Sequence, residues 1–233
     1  MGSSRLPGKV LTDLGGKTVL ARVVRRLRRA RLIDEVVVAT TDLAADDPIV
    51  RECNHLDVPY FCGSESDVLD RYYQAAKAFG GEAIVRVTSD CPVIDPQLVD
   101  ETIAAFQADE ADYASNVIPR TYPRGLDTEV FTAAALERAW LEAKEPHQRE
   151  HVTPYFYGHP ELFRMASAKA DADYSRYRWT LDTSEDSELI CAIYSHFDNR
   201  DDFDWKEVLA LMEREPELAD LNSRVVQNAV CAR

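Results

Sequence analysis

Leu20, Val23, Val24 and Leu27 recur at helical spacing with arginines between them, which predicts an amphipathic helix of about four turns. EVVVATTD (35–42) is a short β-branched apolar run, the pattern of a strand buried on both faces. VPYFCGS (58–64) reads as a second strand. Val68, Leu69, Tyr72, Ala76 and Phe79 then mark a helix, with Ser64 and Asp67 before it in S-x-x-D capping order. AIVRVTSD (83–90) is a third strand. Asp95-Pro96 is a helix start, an N-cap followed by proline at the first helical position. ADYASN (111–116) begins a fourth strand. NVIPRTYPRGL (116–126) breaks the alternation with two prolines and a glycine, a loop long enough to carry function. TEVF (128–131) is strand-like, and helices follow around 132–143 and 147–157. A strand is expected near 163–169 and another at RWTLD (178–182). Thr183 caps a helix from 184 to about 197, and DFDWKEVLALMERE (201–214) is the last amphipathic helix.

Strands alternating with helices imply a doubly wound α/β fold: three layers, with helices on both faces of a mostly parallel sheet. No internal repeat, low-complexity tract or linker divides the chain, so residues 1–233 read as one domain. In such sheets ligands sit beyond the carboxyl ends of the strands.

Composition narrows the classes. No run of about 18 apolar residues is present, and the first residues lack the apolar core of a signal peptide. Five unclustered cysteines read as reduced thiols, and the expected location is cytoplasmic. A net charge of −14 argues against nucleic acid as a partner. The charge is uneven. Residues 1–31 hold nine Lys/Arg against one acid, Asp13, while the other 202 residues hold 18 Lys/Arg against 40 acids. A basic entry on an acidic body suits a polyanionic small molecule bound with help from a metal. Arg22, Arg25, Arg26, Arg28 and Arg29 are expected to coat one helix and face water, which leaves Arg5 and Lys9 for the anion.

The opening segment, MGSSRLPGKVL, fits that role. Small residues let backbone N–H groups approach an anion, and Arg5 and Lys9 add fixed positive charge. A plain unstructured terminus is the competing reading. Asp90 closes AIVRVTSD and Asp182 closes RWTLD, so one carboxylate stands at each of two expected strand ends. Together they suit a magnesium ion completed by water and phosphates. Taken singly, Asp90 also fits an Asx-turn before Pro92, and Asp182 a cap for the following helix. A rival chemistry lies in HQREH (147–151), which fits the H-x-x-E-H zinc-peptidase pattern through His147, Glu150 and His151.

From Gly2 to about Asn222 the chain resembles the cytidylyltransferases that activate acidic sugars, the acylneuraminate and KDO enzymes. It is most similar to the branch of the spore coat polysaccharide biosynthesis protein F type. GSSRLPGK, VVVATTD, GSESDVLDRYYQAA, RVTSDCPVIDP, PRTYPRGLDTEVF, REHVTPYFY and RWTLDTSEDSELI carry the resemblance, in that order. It implies a Rossmann-like fold of the nucleotide-diphospho-sugar transferase kind, with a small sugar-side extension. It also implies a transferase that moves CMP from CTP to a sugar, releases pyrophosphate, uses Mg2+ and often forms a homodimer. Ser3, Ser4, Arg5 and Lys9 would hold the phosphates, with Ser64, Asp67, Arg71 and Asp90 near the nucleotide. Asp90 and Asp182 would hold the metal. Arg124, Gly125, Asp127, Glu129, Glu150, His151 and Arg178 would face the sugar. Asp127 and Glu129 also read as surface positions on an alternating strand, and Arg71 as a solvated helix position. Members of the family begin with a strand and a Gln-Ala-Arg-like turn before Met-Gly-Ser-Ser, whereas this sequence starts at the methionine. The missing strand is expected between 35–41 and 83–89, at a cost to stability and activity. A glycosyltransferase using a nucleotide sugar and an inactive truncated homologue remain the other readings.

Overall fold

Helix starts follow the side chains that cap them. A computed structural model describes residues 5–226. Helix α1 (Val19–Leu27) opens at Thr18, whose side chain accepts from the Ala21 N–H, and α2 (Asp47–His55) carries a proline in its first turn. Asp67 caps α3 (Val68–Phe79), Asp95 caps α4 (Pro96–Ala108) through two N–H groups, and Thr132 caps α5 (Ala133–Glu142). Two short helices follow, α6 (Pro146–His151) and α7 (Pro154–Gly158). Reciprocal capping boxes open α8 (Ser184–His196) with Thr183 and Asp186, and α9 (Trp205–Arg214) with Asp204 and Glu207. A short α10 (Pro216–Asp220) ends the described elements.

The strands are β1 (Val38–Thr41), β2 (Tyr60–Gly63), β3 (Ala83–Arg86), β4 (Tyr113–Ser115), β5 (Glu129–Thr132) and β6 (Met165–Ser167). They form two groups, a parallel pair β1–β2 and a four-stranded sheet in the order β3-β5-β4-β6. Among the described residues β1 and β3 each pair on one side only.

The architecture is α/β, but the expected mostly parallel sheet is corrected to a mixed one. β5 runs antiparallel to both β3 and β4, while β4 and β6 are parallel. The cause is the 116–126 loop. A parallel return needs a crossover, usually a helix, and this connection supplies none, so β5 comes straight back beside β4.

Three other expectations change. Residues 178–182 form no strand of the sheet; their partner is the loop, through a lone Arg124–Arg178 bridge, with the Trp179 N–H donating to the Arg124 carbonyl at 2.6 Å. The helix expected at 147–157 breaks into α6 and α7 at Val152 (φ 71°), and Pro154 starts the second piece. Helix α2 also opens on an Asp-Pro pair, set one position further into the helix than that of α4, and the periodicity alone does not reveal it.

Residues alternate across the four-stranded sheet. Val85, Ala114, Val130 and Ala166 face α1 and α4, packing with Val23, Val99 and Ile103. Ile84, Tyr113 and Phe131 face the other way, onto Leu69 and Tyr73 of α3, Leu136 of α5 and Phe156 of α7. Helix α1 spans both strand groups, because its Leu20 and Val24 pack with Ile49, Cys53, Val58 and Val38.

The expectation that the arginines of α1 face water holds for Arg25, Arg28 and Arg29 and fails for Arg22 and Arg26, both fully buried. Arg22 donates to the carbonyls of Leu14, Gly15 and Asn199 and pairs with Asp201 at 2.8 Å. Arg26 donates to the carbonyls of Ile94 (2.6 Å), Asp201 (3.0 Å) and Phe203 (2.9 Å) and lies over the Phe203 ring. Backbone acceptors from segments distant in sequence make these charges tolerable inside.

Candidate active site

Gly8, in a left-handed conformation (φ 72°), starts a single 3-10 turn, Lys9–Leu11, and that turn points Lys9 at the carboxyl end of β3. The Lys9 Nζ donates to Asp90 Oδ2 at 2.6 Å and to Asp182 Oδ1 at 2.7 Å. Residues separated by 81 and 173 positions thus meet on one ammonium group.

Each carboxylate is held from behind. Asp90 Oδ1 accepts from the Thr88 hydroxyl at 2.6 Å, and its carbonyl accepts from Leu181 N–H (2.9 Å) and Thr180 Oγ1 (3.1 Å). Asp182 Oδ2 accepts from Arg178 at 2.6 Å and lies 3.1 Å from Arg5. Arg178 is in turn gripped by the fully buried Asp186, through Nε at 2.9 Å and Nη2 at 3.0 Å. Asn222 donates to Asp186 and to the Arg178 carbonyl, both at 2.8 Å. Asp186 also caps α8, so one side chain fixes both the helix start and the guanidinium beside Asp182.

Electrostatics follow the geometry. Burial works against the charge of Lys9, but Asp90 and Asp182 outweigh it and raise its pKa. Burial also opposes ionisation of Asp182, yet the Lys9 hydrogen bond and charge, with Arg178 and Arg5, hold its carboxyl below the usual range.

A cleft of about 130 Å³ opens here, lined by Thr88, Asp90, Cys91, Arg124, Gly125, Asp127, Thr180 and Asp182. A larger hollow of about 510 Å³ lies behind Arg178, against Leu189, Met212 and Asn222, and contains neither carboxylate. In the cleft, Arg124 is half-buried, and among the described residues its guanidinium meets no carboxylate. Burial, then Arg120 and Arg178 nearby, pushes its pKa down. Asp127 opposes the shift through its charge, but no hydrogen bond or ion pair joins it to Arg124 among the described residues. Gly125 serves the backbone: at φ 103° it passes so close to Trp179 that a Cβ would lie 2.5 Å from that residue's carbonyl.

The remaining expected site residues divide. Asp127 takes both Arg120 nitrogens at 2.6 and 2.7 Å beside the cleft. Glu129 is not on the surface: it is buried, paired with Arg86 and hydrogen-bonded by Tyr113 at 2.6 Å. Arg71 is half-buried rather than solvated, and donates to the Ser64 carbonyl at 2.8 Å. Asp67 spends its oxygens on the α3 cap and on Arg149 at 2.6 Å. Glu150 is exposed and His151 half-buried on α6, which Arg149 ties to α3. Ser3 and Ser4 lie outside the described residues. The sequence reading misses Thr88, Thr180, Asp186 and Asn222. For Asp186 a signal existed, since Thr183 and Asp186 stand in capping-box order.

A basic turn closing on carboxylates beyond the end of β3 stands where an α/β sheet places its ligand. The chain matches the cytidylyltransferase family over residues 1–221, and it belongs to that family of enzymes. It is 36% identical to the spore coat polysaccharide biosynthesis protein SpsF of Bacillus subtilis, across 94% of this chain and 93% of that protein. A cytidylyltransferase structure from Leptospira borgpetersenii superposes with a TM-score of 0.91 at 32% identity, covering 98% of this chain and 95% of that one. A CMP:2-keto-3-deoxy-manno-octonic acid synthetase solved with CTP shares the fold, with a TM-score of 0.65 at 18% identity over 84% of this chain and 95% of that one. This membership displaces the zinc-peptidase reading of His147, Glu150 and His151, whose helix lasts only six residues. No helix among the described residues is long and apolar enough to cross a membrane.

Proposed function

We propose that the protein transfers CMP from CTP to a sugar in the biosynthesis of a surface or spore-coat polysaccharide. The observation that carries this is the convergence of Lys9 on Asp90 and Asp182. The relationship to SpsF supports the polysaccharide setting, and the CTP complex of the structural relative supports the nucleotide.

In the reaction a sugar hydroxyl oxygen bonds to the α-phosphorus. The bond from that phosphorus to the bridging oxygen breaks, pyrophosphate leaves with it, and the hydroxyl proton passes to water. Arg5 and Lys9 supply charge for the leaving phosphates. Asp90 and Asp182 fit a divalent cation, because two hard carboxylate oxygens already converge on one cationic atom, the Lys9 nitrogen. Bound there, Mg2+ would neutralise phosphate charge. Thr88 and Arg178 keep the two carboxylates aimed, and Arg124, which forms no ion pair among the described residues, can meet an anionic group of the substrate. Such chemistry is mostly positioning and charge stabilisation.

Pyrophosphate release tests the reading. It is expected only with CTP, Mg2+ and a sugar acceptor together, screened over neutral, amino and acidic sugars. Equal release with every nucleoside triphosphate would remove cytosine from the proposal.

A further inference from the structure

We infer that Lys9 is the exchangeable resting cation of the metal site, and that its exchange makes divalent metal and nucleotide bind cooperatively. The inference rests on the metal reading above and goes beyond it, because it concerns what the carboxylates do before the metal arrives.

The geometry has three parts. The outer oxygen of each carboxylate is already committed, Asp90 Oδ1 to Thr88 and Asp182 Oδ2 to Arg178 and Arg5. The inner oxygens, Asp90 Oδ2 and Asp182 Oδ1, share a single donor, the Lys9 Nζ. That donor belongs to a one-turn 3-10 segment behind a glycine, not to the sheet or a long helix. A cation carried by a separate one-turn segment is therefore held between two anions that are braced from behind.

Removing the lysine would leave two carboxylates facing each other across a half-buried gap, where like charges repel more strongly than in water. Some cation must fill it. A free metal ion has to evict the ammonium, and the other carboxylate lining the cleft, Asp127, is already held by Arg120. A metal ion arriving with a triphosphate offers the displaced ammonium a new partner, the outer phosphates. Lys9 thus penalises metal alone and rewards metal with nucleotide. By linkage the coupling is reciprocal, so the nucleotide binds more tightly with metal than without.

Mn2+ titration of the whole protein, followed by electron paramagnetic resonance, tests this without reference to turnover. Without nucleotide, Lys9→Met should bind Mn2+ at least ~10-fold more tightly than the wild type, because the competing charge is gone. With CTP present the advantage should vanish or reverse. Unchanged or weaker Mn2+ binding by nucleotide-free Lys9→Met overturns the inference. Asp90→Asn separates this failure from failure of the metal reading. If Asp90→Asn binds Mn2+ as the wild type does, the carboxylates are not the metal site and both ideas fall. If Asp90→Asn loses Mn2+ while Lys9→Met gains nothing, only the exchange falls.

Thermal unfolding gives a second readout. Lys9→Met should melt below the wild type in chelator and recover in Mg2+, while the wild type responds little to Mg2+ alone. A variant that stays destabilised or unfolded in saturating Mg2+ counts against the exchange, since the metal would then not replace the lysine.

Discussion

Two clusters of basic side chains in the molecule behave oppositely. On α1, Arg22 and Arg26 end in carbonyl oxygens of Leu14, Gly15, Ile94, Asn199, Asp201 and Phe203. These acceptors are backbone atoms of ordered turns and cannot be exchanged. At the ends of the strands, Arg5, Lys9 and Arg178 end in carboxylates, and Arg124 ends in nothing among the described residues. Carboxylates can trade one cation for another, and an unpaired guanidinium can take an anion. A buried cluster that spends most of its donors on backbone carbonyls, with Asp201 as the carboxylate partner of Arg22, is structural, whereas one built on carboxylates holds charge that can be exchanged.

The comparison breaks most visibly at Arg26. Arg26→Met removes a buried cation and orphans at least three carbonyls, so it should cost about 3–5 kcal/mol, the range for breaking a buried charged network. Chemical denaturation reads this directly. Arg26→Lys should rescue little, because one ammonium cannot reproduce the fork.

Asp90→Asn and Asp182→Asn should do the reverse, with turnover falling on the order of 100-fold or more. Their melting temperatures should stay near that of the wild type, as read by calorimetry beside a pyrophosphate assay. A variant with full activity would take its residue out of the site.

Lys9→Ala should weaken CTP binding more than CMP binding, since a point charge on that turn serves the outer phosphates. Calorimetric titration with both ligands is the check, and equal losses would put Lys9 elsewhere.

The smallest effect is expected from pH at the structural cluster. Burial of Asp201 opposes its ionisation, but hydrogen bonds from Arg22 and Arg25, with their charges and that of Lys17, hold its carboxyl below the ordinary range. A depressed folded-state pKa contributes stability that is present above the unfolded value and lost as pH falls through the folded one. Denaturation midpoints should therefore decline below about pH 4, the ordinary range for Asp, and Asp201→Asn should flatten that part of the decline.

What the sequence reveals divides along the same line. Local signals were legible: Asp95-Pro96 and Thr183 start the helices they are expected to start, and β3, β4 and β5 form at segments read as strands. Lys9, Arg5, Asp90 and Asp182 do gather, although 178–182 forms no strand: the Leu181 N–H donates to the Asp90 carbonyl and brings Asp182 beside the segment that follows β3. Burial of Arg22 and Arg26 was not legible, since it depends on carbonyls as far as 177 residues away. The reversal of β5 was not legible either, because a loop with two prolines says only that no helix crosses over. Glu129 looked like a surface acid until its partners, Arg86 and Tyr113, arrived from neighbouring strands.

The meeting of residue 9 with residues 90 and 182 also has a consequence for assembly. Loop-closure entropy grows only with the logarithm of length, so reaching Asp182 costs Lys9 about 0.7 kcal/mol more than reaching Asp90. The greater obstacle is order. Asp182 is held by Arg178, Arg178 by Asp186, and Asp186 by Asn222, so the second carboxylate gains its full support when the segment carrying Asn222 has docked. A ribosome must release the chain through Asn222 before this cluster of charges is fully clasped, and a fragment ending short of Asn222 has its lysine and both acids but lacks that clasp.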